Sequence, residues 1–224
     1  MTLEEFSFEF DVMYNNITSS QAPGLSELEK SVFLTQAQEV LVKQYYKGDL
    51  EQSFENTEEM TEYLNTLVSQ AVFSSNDIKP GKGILMNSSI KSTFFNLPPE
   101  LMFITYESAI LNDACNTSST KDALVVPITQ DEFYNVHKNP FRGPSKNRVL
   151  RLLKANQVEL ISTKGVLQYL VRYIKYPKPI VLPGADEIKP YSDYPNGQNT
   201  ELPESLHRNI LLQAVALAKA TWAS

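Results

Sequence analysis

The chain has 224 residues, 42% hydrophobic and 21% charged, with a formal net charge of −6; this globular composition excludes wholesale disorder and argues against a free-standing nucleic-acid binder. One cysteine, Cys115, excludes an intrachain disulfide and a cysteine-rich metal site, and two histidines, His137 and His207, leave little for acid–base chemistry. No apolar run approaches the ~20 residues needed to span a bilayer, and the acidic opening Met1-Thr2-Leu3-Glu4-Glu5 is unlike a secretory signal, so the expectation is a protein folded in a reducing cytoplasm without membrane contact.

The first third reads as helix. Thr2 and Glu5 form a capping box ahead of Leu3, Phe6, Phe10, Met13, Tyr14 and Ile17, which recur at three- and four-residue spacing until Ala22-Pro23-Gly24. A second box, Ser26 and Glu29, opens a helix to about Tyr46 with an apolar stripe of Leu28, Val32, Phe33, Ala37, Val40, Leu41 and Tyr45, stopped by Gly48. A third helix is predicted from Asn56 or Thr57, burying Met60, Tyr63, Leu64, Leu67, Val68 and Val72.

The apolar period then changes. Strands are predicted at 92–96 and 101–107 around Leu97-Pro98-Pro99-Glu100, and at 123–128, where Pro127 argues for an edge or a strand end. Thr129 through Glu132 looks like the cap of a short helix ending before Asn139-Pro140. Residues 147–153, 158–162 and 167–176 read as a β-meander, with Tyr169, Val171 and Tyr173 on one face, and 180–182 as an added edge strand. A polar stretch rich in Pro, Gly and Asn leads to a final helix carrying Leu206, Ile210, Ala214, Leu217, Ala218 and Trp222. The expected fold class is α+β: a helical region over 1–75, a β-rich domain with a meander over 76–182, a linker over 183–200, and a C-terminal helix over 201–224 that packs back on the first helices.

No constellation of catalytic or cofactor-binding residues is visible. Cys115 lies in a polar loop with no helix N-terminus behind it to lower its pKa. Lys79-Pro80-Gly81-Lys82-Gly83 lacks the spacing of a phosphate loop and reads as a turn. The sequons at Asn16, Asn87 and Asn116 are read as chance, and His207, beside Arg208, as a surface or interface residue. The expectation is no enzyme activity, no metal and no cofactor.

Charge placement is the strongest local signal. Residues 1–75 hold three lysines against thirteen acids, a net −10, while residues 138–178 hold ten Lys and Arg against Glu159 alone, a net +9. Such a split describes a molecule with two complementary ends; two differently solvated surfaces of a monomer is the competing reading. Arg142, Lys146, Arg148, Arg151 and Lys154, with Phe141 among them, are the candidate protein-interface residues, and the meander tyrosines are further anchors. An acidic protein surface is preferred over nucleic acid as their partner, because the chain supplies such a surface itself.

The segments Glu5-Phe6-Ser7-Phe8-Glu9-Phe10 with Tyr14-Asn15-Asn16, the run from Ala22 to Gln38, Val126 to Phe133, Asn139-Pro140-Phe141-Arg142 and Leu202 to His207 resemble virion structural proteins of crAss-like and related tailed phages of gut Bacteroides. The resemblance implies a ring protein of the portal-vertex neck, a head-to-tail connector joining capsid to tail. It implies as partners copies of itself in a dodecameric ring, the portal and other neck or tail proteins, and non-specific proximity to packaged DNA. Two alternatives stay open at this point: a tail or baseplate adaptor, and a cytoplasmic regulatory or nucleic-acid-binding module using Lys138 to Lys154.

Overall fold

The computed structural model describes residues 1–15, 24–47, 62–84, 90–112, 122–185 and 188–222. The expected helix break at Ala22-Pro23, the stop at Gly48, the start of the third helix, Cys115 and the three sequons lie outside them. The chain forms two compact units, residues 1–67 with 176–224, and residues 68–175.

The first unit is built on helices α1 (Leu3–Asn15), α2 (Glu27–Lys47) and a C-terminal helix, His207–Trp222. Both capping boxes form. The Thr2 N–H donates to Glu5 Oε2 at 2.8 Å and the Glu5 N–H to Thr2 Oγ1 at 3.2 Å; Ser26 and Glu29 repeat the arrangement at 2.7 and 3.3 Å. Phe6, Phe10 and Tyr14 bury one stripe of α1, as their i, i+4, i+8 spacing requires. The C-terminal helix buries Ile210, Leu211, Ala214, Val215 and Ala218 and packs against α1 and α2.

Helix α2 departs from its expected stripe. Its buried face is Lys30, Ser31, Leu34, Ala37, Gln38, Leu41 and Val42, with Val32, Phe33 and Val40 only half-buried. The cause is the segment 178–182, which lies along α2 instead of adding a strand to a sheet. Gln38 donates to the Lys178 carbonyl at 2.8 Å, Thr35 Oγ1 accepts from the Ile180 N–H at 3.1 Å, and Ser31 Oγ accepts from the Leu182 N–H at 2.9 Å. Polar side chains at i, i+4 and i+7 thus replace the missing sheet partners of a backbone whose side chains Ile180, Val181 and Leu182 are buried. Lys30 is buried at 2% exposure, its ammonium held by Asp11 at 2.6 Å, Glu27 at 3.1 Å and Ser7 at 3.2 Å. Burial works to lower its pKa, but the hydrogen bonds and charges of Asp11 and Glu27 outweigh that and hold it above the usual lysine value.

The second unit is one seven-stranded sheet. In chain order its strands are β1 (Val68–Ser74), β2 (Lys91–Asn96), β3 (Leu101–Leu111), β4 (Asp122–Pro127), β5 (Arg148–Lys154), β6 (Gln157–Ser162) and β7 (Val166–Lys175), and across the sheet they run β1-β7-β3-β4-β5-β6-β2. Every neighbouring pair is antiparallel except β4 and β5. Two expectations change, and a third narrows to one of its two alternatives. Val68 and Val72 stand exposed on β1 and do not extend a helix; residues 62–65 are helical, and the period becomes two at Val68, with Ala71 and Phe73 turned inward. The meander is only half present: β5 and β6 pair as a hairpin, but β7 pairs with β1 and β3. Pro127 closes β4 inside the sheet, so it marks a strand end and not an edge.

The sheet curls. Phe73 on β1 and Phe95 on β2, at opposite ends of the strand order, bring their rings to 5.7 Å, and both meet Tyr169 of β7 at 5.8 and 5.7 Å. The enclosed core takes residues from all seven strands. A smaller apolar cluster lies on the outer face, where Leu150, Leu152 and Ile161 meet Phe133 and Val136 of a short helix, α3 (Phe133–His137). Parallel neighbours require a crossover of a dozen or more residues, and α3 with the loop 138–147 is that crossover between β4 and β5.

Gly197 ties the first unit together at φ +81°, where an added Cβ would meet Leu3 Cδ1 at 2.7 Å and the Val181 carbonyl at 2.9 Å. Gly184, at φ +89°, has open space around the same position. Gly184→Ala is expected to cost about 1 kcal/mol of backbone strain and Gly197→Ala clearly more, because it adds a clash; urea unfolding of the two variants checks the order.

Candidate protein interface

The crossover loop holds Phe141 and Arg142 out in solvent by local chemistry. Asn139 opens an Asn-Pro turn whose side-chain Oδ1 accepts from the Phe141 N–H at 2.9 Å and the Arg142 N–H at 3.3 Å. Gly143 closes it: its N–H donates to the Asn139 carbonyl at 2.7 Å, and a Cβ there would sit 2.8 Å from the carbonyl oxygens of Asn139 and His137. Ser145 and Arg148 then bridge across a tight reversal with Lys146-Asn147 at its tip. Phe141 is left 85% exposed, beside exposed Arg142 and Lys146.

Arg142 borders a groove of about 550 Å³ on the outer face of the sheet, with Val126, Pro127, Ile128 and Val136 as apolar lining and Glu132, Asn135, Arg142 and Arg148 as polar lining. The Arg148 guanidinium donates to the Phe141 carbonyl, linking the loop to the start of β5. Leu124, exposed on β4, is in register with Arg148 and extends the patch. Just past α3, Lys138 Nζ donates to the Tyr134 hydroxyl and lies 3.9 Å from its ring centroid. That hydrogen bond, with the lysine charge, lowers the Tyr134 pKa.

The remaining candidates lie elsewhere, because β5 alternates. Arg148, Leu150 and Leu152 face outward; Val149 faces the enclosed core, and Arg151 shares its side. Arg151 is 11% exposed, its Nε 3.1 Å from Glu107 Oε2, and Glu107 also accepts a hydrogen bond from the buried Tyr169 hydroxyl. Burial raises the Glu107 pKa, against the opposing pull of the Tyr169 hydrogen bond and the Arg151 charge. Arg151 Nη1 is buried without a hydrogen-bond partner among the described residues. Lys154, at the far end of β5 and roughly 20 Å along the strand from Arg148, pairs at 3.0 Å with Glu159 and donates to the Lys82 carbonyl. Glu159, fully buried, also accepts from the Ile84 N–H at 3.0 Å and the Ser92 hydroxyl at 2.8 Å.

Tyr169 and Tyr173 are core residues at 0 and 3% exposure, so they are corrected from surface anchors to packing. His207 is likewise corrected. It is buried in the first unit, 5.4 Å from the Phe6 ring, with Nε2 against the Leu202 carbonyl and Nδ1 against the Met1 ammonium. Burial lowers its pKa. Lys79 to Gly83 forms a connection across β2, the Lys79 N–H donating to the Phe94 carbonyl at 2.8 Å. Among the described residues no group of three His, Cys, Asp or Glu side chains is placed to hold a metal, and no helix is long and apolar enough to cross a membrane.

Over residues 1–224 the sequence matches the family described as phage tail ring protein 3/4. It is similar to ring protein 3 of Bacteroides phage crAss001, 41% identical over 223 residues that cover 97% of this chain and 95% of that protein. It is also similar to ring protein 4/5 of the same phage, 35% identical over 240 residues covering 99% and 94%.

Arg142 and Arg151, both cations of the crossover and the strand it feeds, are expected to behave oppositely. Arg151→Ala strands a buried carboxylate and should cost roughly 3–5 kcal/mol in urea unfolding, whereas Arg142→Ala should be near neutral. Because the Glu107 pKa is raised, lowering the pH through it protonates a carboxyl that then needs no counter-charge. The Arg151→Ala loss should therefore shrink toward acid pH.

Proposed function

The chain belongs to the phage tail ring protein 3/4 family, and from that premise we propose that it is a non-enzymatic, ring-forming subunit of the portal-vertex neck, joining capsid to tail around the DNA channel. A structural ring protein of a phage must present two different surfaces that fit each other on successive subunits, since a head-to-tail contact closes by rotation. The observation that carries the reading is the exposed basic loop with its apolar groove on one unit, in a chain whose first 75 residues carry a net −10. Arg142, Lys146, Arg148 and Phe141 face acidic surface on a neighbouring copy in a closed, dodecameric ring, and the portal and other neck or tail proteins lie above and below. Exposed ion pairs contribute ~0–1 kcal/mol each, so apolar burial supplies most of the affinity while charge sets orientation and encounter rate.

A ring on the tail side of the junction is the second reading, favoured by the family's own designation as tail ring proteins. A density map of the portal vertex separates the two: the neck reading requires ring density of this fold between portal and tail, and density confined to the tail would replace it.

Charge reversal tests the surface itself. Arg142→Glu with Lys146→Glu should leave the far-ultraviolet circular dichroism of the subunit unchanged and slow or block ring formation in sedimentation, most strongly at low salt. Assembly equal to wild type at low and moderate salt would mean that the charge split is only a solvated surface.

A further inference from the structure

Helix α1 is apolar on two sides. Phe6, Phe10 and Tyr14 bury one stripe; Phe8 and Val12, four residues apart, form a second that stays outside, Phe8 at 70% exposure and Val12 at 42%. No lysine or arginine lies on the helix, and Glu4 and Glu5 stand exposed one turn before Phe8. An exposed aromatic with an aliphatic neighbour and a rim of carboxylates has the chemistry opposite to that of the groove beside the crossover loop. There Val126, Ile128 and Val136 line an apolar concavity, Arg142 and Arg148 supply cations, and Phe141 stands beside it. A nucleic-acid phosphate would use the arginines but leave the apolar lining uncovered. An acidic helix led by a phenylalanine uses both.

We propose that the outer face of α1 of one copy docks into the β4–α3–β5 groove of the next, Phe8 and Val12 on the apolar lining and Glu4 and Glu5 toward Arg142 and Arg148. This rests on the reading of the basic loop as a self-assembly surface and names its occupant. The contact joins two different surfaces of the chain, and repeated head to tail it generates a ring or an open helix according to the rotation. Phe8 is the anchor, buried only in the assembly.

The test uses the full chain. Phe8→Ala should keep the monomer's circular dichroism and raise the concentration needed for assembly at least ~10-fold in sedimentation velocity, the loss typical of truncating an aromatic hot spot. A photo-crosslinking benzoylphenylalanine at position 8, in a mixture of isotope-labelled and unlabelled protein, should form inter-copy adducts within residues 124–148. If Phe8→Ala assembles like wild type, or the adducts fall elsewhere, while Arg142→Glu with Lys146→Glu still blocks assembly, the α1 assignment is overturned and the basic surface stands. If the wild-type chain does not self-associate, both are overturned.

Discussion

Tyr169 is the residue on which the second unit closes. Its ring packs against both Phe73 and Phe95, which come from the two edge strands and also meet each other, and its hydroxyl reaches Glu107 on β3, which in turn faces Arg151 on β5. Five strands are therefore tied through one side chain and its partners. Aromatic pairs contribute about 0.5–1.5 kcal/mol beyond burial, while a buried carboxylate is tolerable only with a donor and a counter-charge beside it. The curl of the sheet and the Glu107–Arg151 pair inside it are thus linked through Tyr169: the edges cannot separate without exposing the aromatic cluster, and Tyr169 cannot shift without withdrawing its hydroxyl from Glu107.

The candidate interface is a consequence of that closure. With Arg151 turned inward, alternation sends Arg148 outward at the start of β5, next to the crossover that parallel pairing with β4 demands. The crossover is anchored by Phe133 and Val136, so its remaining loop is free to carry Phe141, Arg142 and Lys146, and Asn139 and Gly143 hold that loop in a fixed turn. A basic surface on a rigid element loses little conformational freedom on docking, which suits the proposed self-assembly. The first unit shows a similar economy, in that α2 satisfies an extended buried segment with Ser31, Thr35 and Gln38 and leaves α1 an unused apolar stripe.

Much of this was legible in the sequence, and the limits have physical causes. Capping boxes and i, i+4 spacing gave α1 and α2, and alternation gave most strands, since these are local signals. The burial of α2 differs from the expected stripe because its inward polar residues serve backbone groups 140 and 151 positions away. Val68 and Val72 fit helical and extended periods equally, so the switch to β1 was invisible until pairing with β7 decided it. Arg148 and Arg151 both stand among the candidate interface residues, although, three apart on a strand, they must point to opposite sides. That parity was available from the sequence. The identity of the inward partner was not, because Glu107 lies 44 residues away on a strand whose neighbours are set by the curl.

The most direct measurement of this account is a double-mutant cycle on Arg151→Met and Glu107→Leu, read by urea unfolding. Each single variant leaves a buried charge or donor without its partner, whereas the double variant replaces the pair with apolar volume and leaves only the Tyr169 hydroxyl unserved. The expected result is a coupling of ~1–3 kcal/mol, with the double variant closer to wild type than the Arg151→Met single. Additive losses would contradict it, placing Arg151 outside the closed sheet and among the exposed cations of the crossover.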